Sequence, residues 1–110
     1  MQCIIESLSV EYYERISCIN YYHEGILVRP DRPVELIMIG FSRLSMGAVT
    51  DHEFVNGDIL LFDIKVDGYP YDKLMGEIMC QTRFGYMYRL DIKFLGMPNT
   101  LFEKIKVLNE

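Results

Sequence analysis

The sequence has little of what most functional classes require. Its three cysteines, Cys3, Cys18 and Cys80, are far apart and form no CxxC pair. That excludes a disulfide framework and zinc-ligand spacing, and the odd, scattered count points to a reducing, cytoplasmic setting. The three thiols read as small buried hydrophobes. Long apolar runs are missing: stretches such as Ile59-Leu60-Leu61-Phe62 fall far short of the roughly 20 residues a membrane span needs, so no membrane insertion is expected. The opening Met1-Gln2-Cys3-Ile4-Ile5-Glu6 has no basic region and is interrupted by an acid, so it reads as mature protein and not as a signal peptide. Cations are also short. Lys and Arg number 11 against 16 Asp and Glu, a net charge of −5. A sequence-independent DNA or RNA binder needs a basic face, which this balance disfavours, although a local arginine pocket for a small anion stays compatible with it.

Catalytic patterns are missing too. There is no Ser-His-Asp order, no phosphate-binding glycine loop and no metal-ligand spacing, so no catalytic or metal site is assigned and an enzyme is not expected. The enzyme class held in reserve is a flavin-binding barrel, which would need a dimer and a basic phosphate pocket. Asp51-His52-Glu53 is three consecutive residues that cannot converge from a strand, and it reads as a solvated loop. Asp63 and Asp67 share a strand face, but Lys65 lies between them, which reads as a solvated exterior.

What is present is ordinary globular composition, 50% hydrophobic and 25% charged, in 110 residues without repeats or linkers. A single domain spanning 1–110 follows, and a chain of this length buries roughly two-thirds of the surface it exposes when unfolded. The organisation lies in period-2 alternation. Tyr86, Tyr88, Leu90, Ile92 and Phe94 fall on one face, with Met87, Arg89, Asp91 and Lys93 on the other. Gly76, Ile78, Cys80 and Thr82 alternate with Glu77, Met79 and Gln81, and Arg83-Phe84-Gly85 joins the two runs into a hairpin. Upstream, Leu60, Phe62, Ile64 and Val66 form another strand between the turns Asn56-Gly57-Asp58 and Asp67-Gly68-Tyr69-Pro70. Further strands are read from Val34 toward Ser42, over about 45–50 and over Arg15–Tyr22. Residues 1–10 are a candidate extra N-terminal strand. The period changes at Thr100-Leu101-Phe102-Glu103, a capping box, after which Leu101, Ile105 and Leu108 share one helical face. Many short antiparallel strands closed by one helix predict a mainly β fold, a small barrel or sandwich whose helix plugs an end or covers an edge.

Met75, Met79 and Met87 fall on the outer faces of the hairpin, and exposed methionines on neighbouring strands make an adaptable apolar surface suited to a protein partner, with burial under the N-terminal segment as the rival reading. The eight tyrosines suit strands and core, with base stacking as the rival reading.

The hairpin "KLMGEIMCQTRFGYMYRLDIKFLGM" with its following helix, the strand "NGDILLFDIKVDG", and the turn "RLSMGAV" resemble, in that order, the PilZ domain over roughly residues 11–108. The resemblance implies a six-stranded antiparallel barrel with a short C-terminal helix and, for many members, binding of the second messenger cyclic-di-GMP. It would be carried by an R-x-x-x-R stretch before the first strand and a D/N-x-S-x-x-G turn between the second and third. Arginine forks suit phosphates and guanine edges, and glycine lets the backbone come close. By spacing, "EYYERI" places Arg15 at the second arginine and Glu11 at the first, while Arg29 and Arg32 of "VRPDRP" are a rival match one residue too close. In the turn, Ser45 fits, Arg43 replaces the acid or amide, and Ala48 replaces the final glycine beside Gly47. A like charge 4 Å from a dianionic ligand costs about 4 kcal/mol at an effective dielectric of ~20, about three decades of affinity. The resemblance therefore implies a non-catalytic regulatory module of bacterial cyclic-di-GMP signalling with weakened nucleotide binding, no cofactor, and action through a protein partner. The alternative is a genuine receptor using Arg15, Arg43 and Ser45, helped by Gly47, Arg29 and Arg32.

Overall fold

The computed structural model describes residues 8–42 and 44–108. Among them are seven strands and one helix: β1 (Val10–His23), β2 (Ile26–Val28), β3 (Val34–Ser42), β4 (Ser45–Thr50), β5 (Ile59–Val66), β6 (Tyr69–Phe84), β7 (Met87–Leu95) and α1 (Asn99–Leu108). All pairings are antiparallel, in the order β2-β1-β3-β4-β7-β6-β5, and β5 pairs back onto β1. Six strands thus close into a barrel and β2 is an extra strand beside β1.

Alternation builds the core. Along β1 the exposed Arg15, Ser17 and Ile19 alternate with the buried Ile16 and Cys18, and β3 repeats this with Leu36 and Met38 inside. The interior is filled by Phe41, Met46, Leu60, Phe62, Ile78, Leu90, Ile92 and Phe94, with the Phe94 ring 6.3 Å from Phe41 and 6.2 Å from Phe62. The helix brings Leu101 and Ile105 onto this core. Fully burying one such side chain is worth roughly 1.5–3 kcal/mol.

The barrel has two ends. One gathers the start of β1, the β3–β4 turn, the β5–β6 turn and the end of β7, because Val10 pairs with Phe41, Ser42 with Ser45, Ser45 with Lys93 and Val66 with Tyr69. The helix lies here, with Lys104 Nζ 5.5 Å from the centre of the Tyr69 ring. The other end gathers the β1–β2 and β6–β7 turns, the β2–β3 connection and the loop at 51–58. That loop is held by a two-way bond: the Phe54 N–H donates to Gln81 Oε1 and Gln81 Nε2 donates to the Phe54 carbonyl, both at 2.8 Å.

Four boundaries differ from the sequence reading. The β5–β6 turn is only Asp67-Gly68, both with positive φ (53° and 76°), as a tight Asp-Gly hairpin turn requires, so Tyr69 and Pro70 already belong to β6. At the next hairpin Gly85 takes the first turn position with φ 57°, so Tyr86 leaves the strand and is 94% exposed instead of buried. The helix starts at Asn99, one residue before the expected cap at Thr100, and the Pro98 carbonyl accepts the Phe102 N–H at 3.0 Å. The three-residue β2 carries too little alternation to be read from sequence. Most of the candidate strand at 1–10 lies outside the described residues; Leu8 and Ser9 precede β1, and Val10 opens it.

Leu101 is fully buried whereas Val107 is 61% exposed. Leu101→Ala is expected to lower unfolding free energy by about 2–5 kcal/mol in urea titrations, and Val107→Ala to stay within about 0.5 kcal/mol of wild type.

Candidate functional site

The β3–β4 turn supplies the centre of the candidate site. Ser42 and Ser45 are both buried, pair across the turn, and their hydroxyls hydrogen-bond to each other. Arg43 lies outside the described residues. Two residues further along β4, Gly47 pairs with Gly40 of β3 on one side and with Asp91 of β7 on the other, and Gly40 in turn pairs with Glu11 of β1. Glu11, Gly40, Gly47 and Asp91 therefore stand in one row across four strands on the outer wall, in a place where strand spacing is about 4.8 Å.

The two glycines are there because other groups fill the space above them. A Cβ on Gly40 would lie 2.2 Å from the Val10 carbonyl oxygen and 3.1 Å from Leu8 Cδ1. A Cβ on Gly47 would lie 2.7 Å from Arg89 Nη2 and 3.1 Å from Leu8 Cδ2. Leu8 thus sits over both glycines, fixed by the next residue, whose N–H and hydroxyl both donate to the Phe41 carbonyl at 2.8 and 3.1 Å. Arg89 lies against Gly47, and its Nε is buried without a hydrogen-bond partner among the described residues. Asp91 is buried at 6% exposure.

The remaining candidate residues are spread over the barrel. Arg15 is exposed on the outer face of β1, opposite Ile37 and four residues beyond Glu11, about 13 Å along the strand. It lines a hollow with Ser17, Asp63 and Lys65. Arg29 and Arg32 are exposed in the connection between β2 and β3 at the barrel end opposite Ser45, so the nine residues of β3, about 30 Å, separate them from the turn. The structure brings together Ser45, Gly47 and Glu11, and leaves Arg15, Arg29 and Arg32 elsewhere. Met75, Met79 and Met87 are 36%, 48% and 36% exposed on β6 and β7. Glu77 and Lys93 form the pair between the first two, and Thr82 and Arg89 the pair between the last two.

Two groups that sequence reasoning missed are Arg89 and Asp91. Their alternation put them on the outer wall, but only the β4–β7 register places them beside Gly47. A bulge at Met79 sets Cys80 opposite Asp91, so Cys80 is buried on the outer side and does not join the core.

A second polar cluster lies at the other end. His23 Nδ1 is 2.7 Å from Asp58 Oδ1, and the 3%-exposed Asp58 also accepts the Val55 N–H at 3.0 Å through Oδ2. The hydrogen bond to Asp58 holds the His23 pKa above its ordinary value, with the charges of Asp58 and Glu24 adding to the shift against partial desolvation. Burial, followed by the Asp58 charge, also raises Tyr21. His52 of the Asp51-His52-Glu53 run packs its ring 4.5 Å from Phe54 and 5.8 Å from Tyr21. Burial pushes the Cys18 thiol up to about 11, which keeps it protonated and unreactive. Among the described residues no group of three His, Cys, Asp or Glu side chains could hold a metal ion, and no helix is long and apolar enough to cross a membrane.

Comparison of the chain with protein-family models, with curated proteins and with solved structures returns no match. The site must be read from its own residues.

Two expectations follow. Gly40→Ala drives its methyl into backbone that cannot swing away, so it should cost about 1–3 kcal/mol. Gly47→Ala meets only the flexible ends of Arg89 and Leu8 and should stay within about 1 kcal/mol of wild type; urea denaturation of both variants checks the contrast. For His23, a folded-state pKa above the unfolded value of about 6.5 means that the pair's stabilisation is complete below that value and fades as pH rises through the higher one. Wild type should therefore gain stability between about pH 8 and pH 6 relative to His23→Gln, measured by urea midpoints across that range.

Proposed function

We propose that the chain is a non-catalytic PilZ-like regulatory module with weakened cyclic-di-GMP binding, acting through contact with a protein partner. The observation that carries this reading is the outer row Glu11, Gly40, Gly47 and Asp91. A ligand with two phosphates needs converging cations and a bare glycine surface. Here carboxylates flank the two glycines, the surface is covered by Leu8 and the Arg89 guanidinium, and Arg29 and Arg32 are at the far end of the barrel. Arg89 partly offsets the acidic row, but it occupies the room a nucleotide would take. The family reading itself rests on the strand order and on the quoted stretches around Ser45, residues 56–68 and residues 73–97. The half-exposed methionines of β6 and β7 support a protein contact, since flexible thioethers adapt to a partner's surface.

Calorimetric titration with cyclic-di-GMP tests this directly. The expected outcome is no heat at high micromolar ligand. Low-micromolar binding that is lost in both Arg15→Ala and Ser45→Ala would overturn the reading in favour of a genuine receptor.

A further inference from the structure

The turn Asn56-Gly57-Asp58 carries chemistry of its own. Of the chain's four asparagines, Asn20, Asn56, Asn99 and Asn109, only Asn56 precedes a glycine. The side chain of a following residue crowds the peptide nitrogen after an asparagine, and glycine has none. Asn56 and Gly57 are both exposed, and a Cβ placed on Gly57 would meet no atom within 4 Å, so water reaches the pair from outside. Val55–Asp58 form a tight turn: the Asp58 N–H donates to the Val55 carbonyl at 2.9 Å, and the Val55 N–H donates to Asp58 Oδ2 at 3.0 Å. Gly57 takes φ 97° in it, a backbone conformation that favours glycine.

One bond holds the nitrogen that would react. The Gly57 N–H donates to the Ile78 carbonyl of β6 at 2.7 Å, and the Ile78 N–H donates back to the Asp58 carbonyl at 2.8 Å. This reciprocal pair staples the turn to β6. Around it, Gln81 bonds the N–H and the carbonyl of Phe54, both at 2.8 Å, and His23 bonds Asp58 at 2.7 Å. A peptide nitrogen whose hydrogen is held by a carbonyl is harder to deprotonate, and it is kept from turning toward the neighbouring side-chain amide.

We propose that Asn56 is a self-modification site, converted to aspartate or isoaspartate by Gly57 and water when the loop at 51–58 leaves β6, and protected while the Gly57–Ile78 bond is made. In the open loop the Gly57 nitrogen gives its proton to solvent and adds to Asn56 Cγ. The new N–Cγ bond closes a succinimide ring. The Cγ–Nδ2 bond breaks, and the side-chain nitrogen takes up a proton and leaves as ammonia. Water then adds to one of the two ring carbonyls and opens the ring. Addition at one gives aspartate and at the other isoaspartate, with no oxidation or reduction. Either product puts a new carboxylate two residues from the buried Asp58. Isoaspartate also adds a methylene to the main chain of the turn, which shifts Gly57 and Asp58 out of register with Ile78. The conversion is one-way, so it records the time the loop has spent away from β6.

The test follows conversion at residue 56 in the full chain at mildly alkaline pH, by peptide-mapping mass spectrometry with enzymatic methylation to detect isoaspartate. The folded chain is expected to convert about tenfold or more slowly than the same chain unfolded in urea, since only the open fraction reacts. Gln81→Ala deletes both bonds to Phe54 and should speed the folded chain by about tenfold. Arg83→Ala leaves those bonds in place and should not. Circular dichroism checks that each variant is folded; if Gln81→Ala is not, His23→Gln, which cuts the bond to Asp58, replaces it with the same expected direction. Asn20 and Asn99, followed by tyrosine and threonine, should stay intact over the same period. A folded wild type that converts as fast as the unfolded chain would overturn the protection by Ile78. A folded loop variant no faster than wild type would rule out local opening as the route, and absence of conversion in urea would overturn the site itself.

Discussion

The pairing of β1 with β5 is the interaction on which the rest of the molecule depends. β1 is 14 residues long and is bonded on one side to β3 and then β2, and on the other to β5. Without that last ladder the sheet would have open edges at β5 and along β1, with rows of unpaired backbone groups exposed to other chains. With it the sheet becomes a barrel, and the inward side chains of all six strands share one interior. The consecutive ladders between β1, β3, β4 and β7 align residues far apart in sequence, so that Glu11, Gly40, Gly47 and Asp91 stand in one row.

The β1–β5 ladder ends at Ser17↔Asp63, with a bulge at Ile19 inside it and an extra residue of β6, at Asp72-Lys73, beside its last pair. A hollow lined by Arg15, Ser17, Asp63 and Lys65 lies beside that last pair. A cation that spacing alone assigns to a nucleotide thus lies about 13 Å along β1 from Glu11, the residue of that strand in the row with Gly47. Geometry separates what the motif would have joined, and the Ser45 turn is left with carboxylates and a covering leucine.

The two barrel ends also differ in character. At the helix end Leu101 and Ile105 are buried against the core. The opposite end is held by polar contacts, with Gln81 gripping Phe54 and the His23–Asp58 pair tying β1 to the loop at 51–58. Through His23 its stability responds to pH.

Local pattern by itself determined the strands and their inward faces. Leu36, Met38, Leu60, Phe62, Leu90 and Ile92 all alternate in the chain and all lie in the core, because a strand turns successive side chains to opposite sides whatever its neighbours are. The Thr100–Leu108 stretch likewise announced a helix through its change of period. A small barrel or sandwich with a C-terminal helix was legible from that order, while the six-stranded closed form was an expectation of the resemblance, and the structure has it. Of the candidate site, Ser45 and Gly47 were visible as a turn, and Glu11 as an opposing charge. Arg89 and Asp91 were visible only as outward residues. Their place beside Gly47, the filling of that space by Leu8, the buried outer position of Cys80 and the separation of Arg15 from the turn were decided by tertiary structure. Each depends on register, bulges and barrel closure, and these are set by contacts between segments tens of residues apart, which no local spacing encodes.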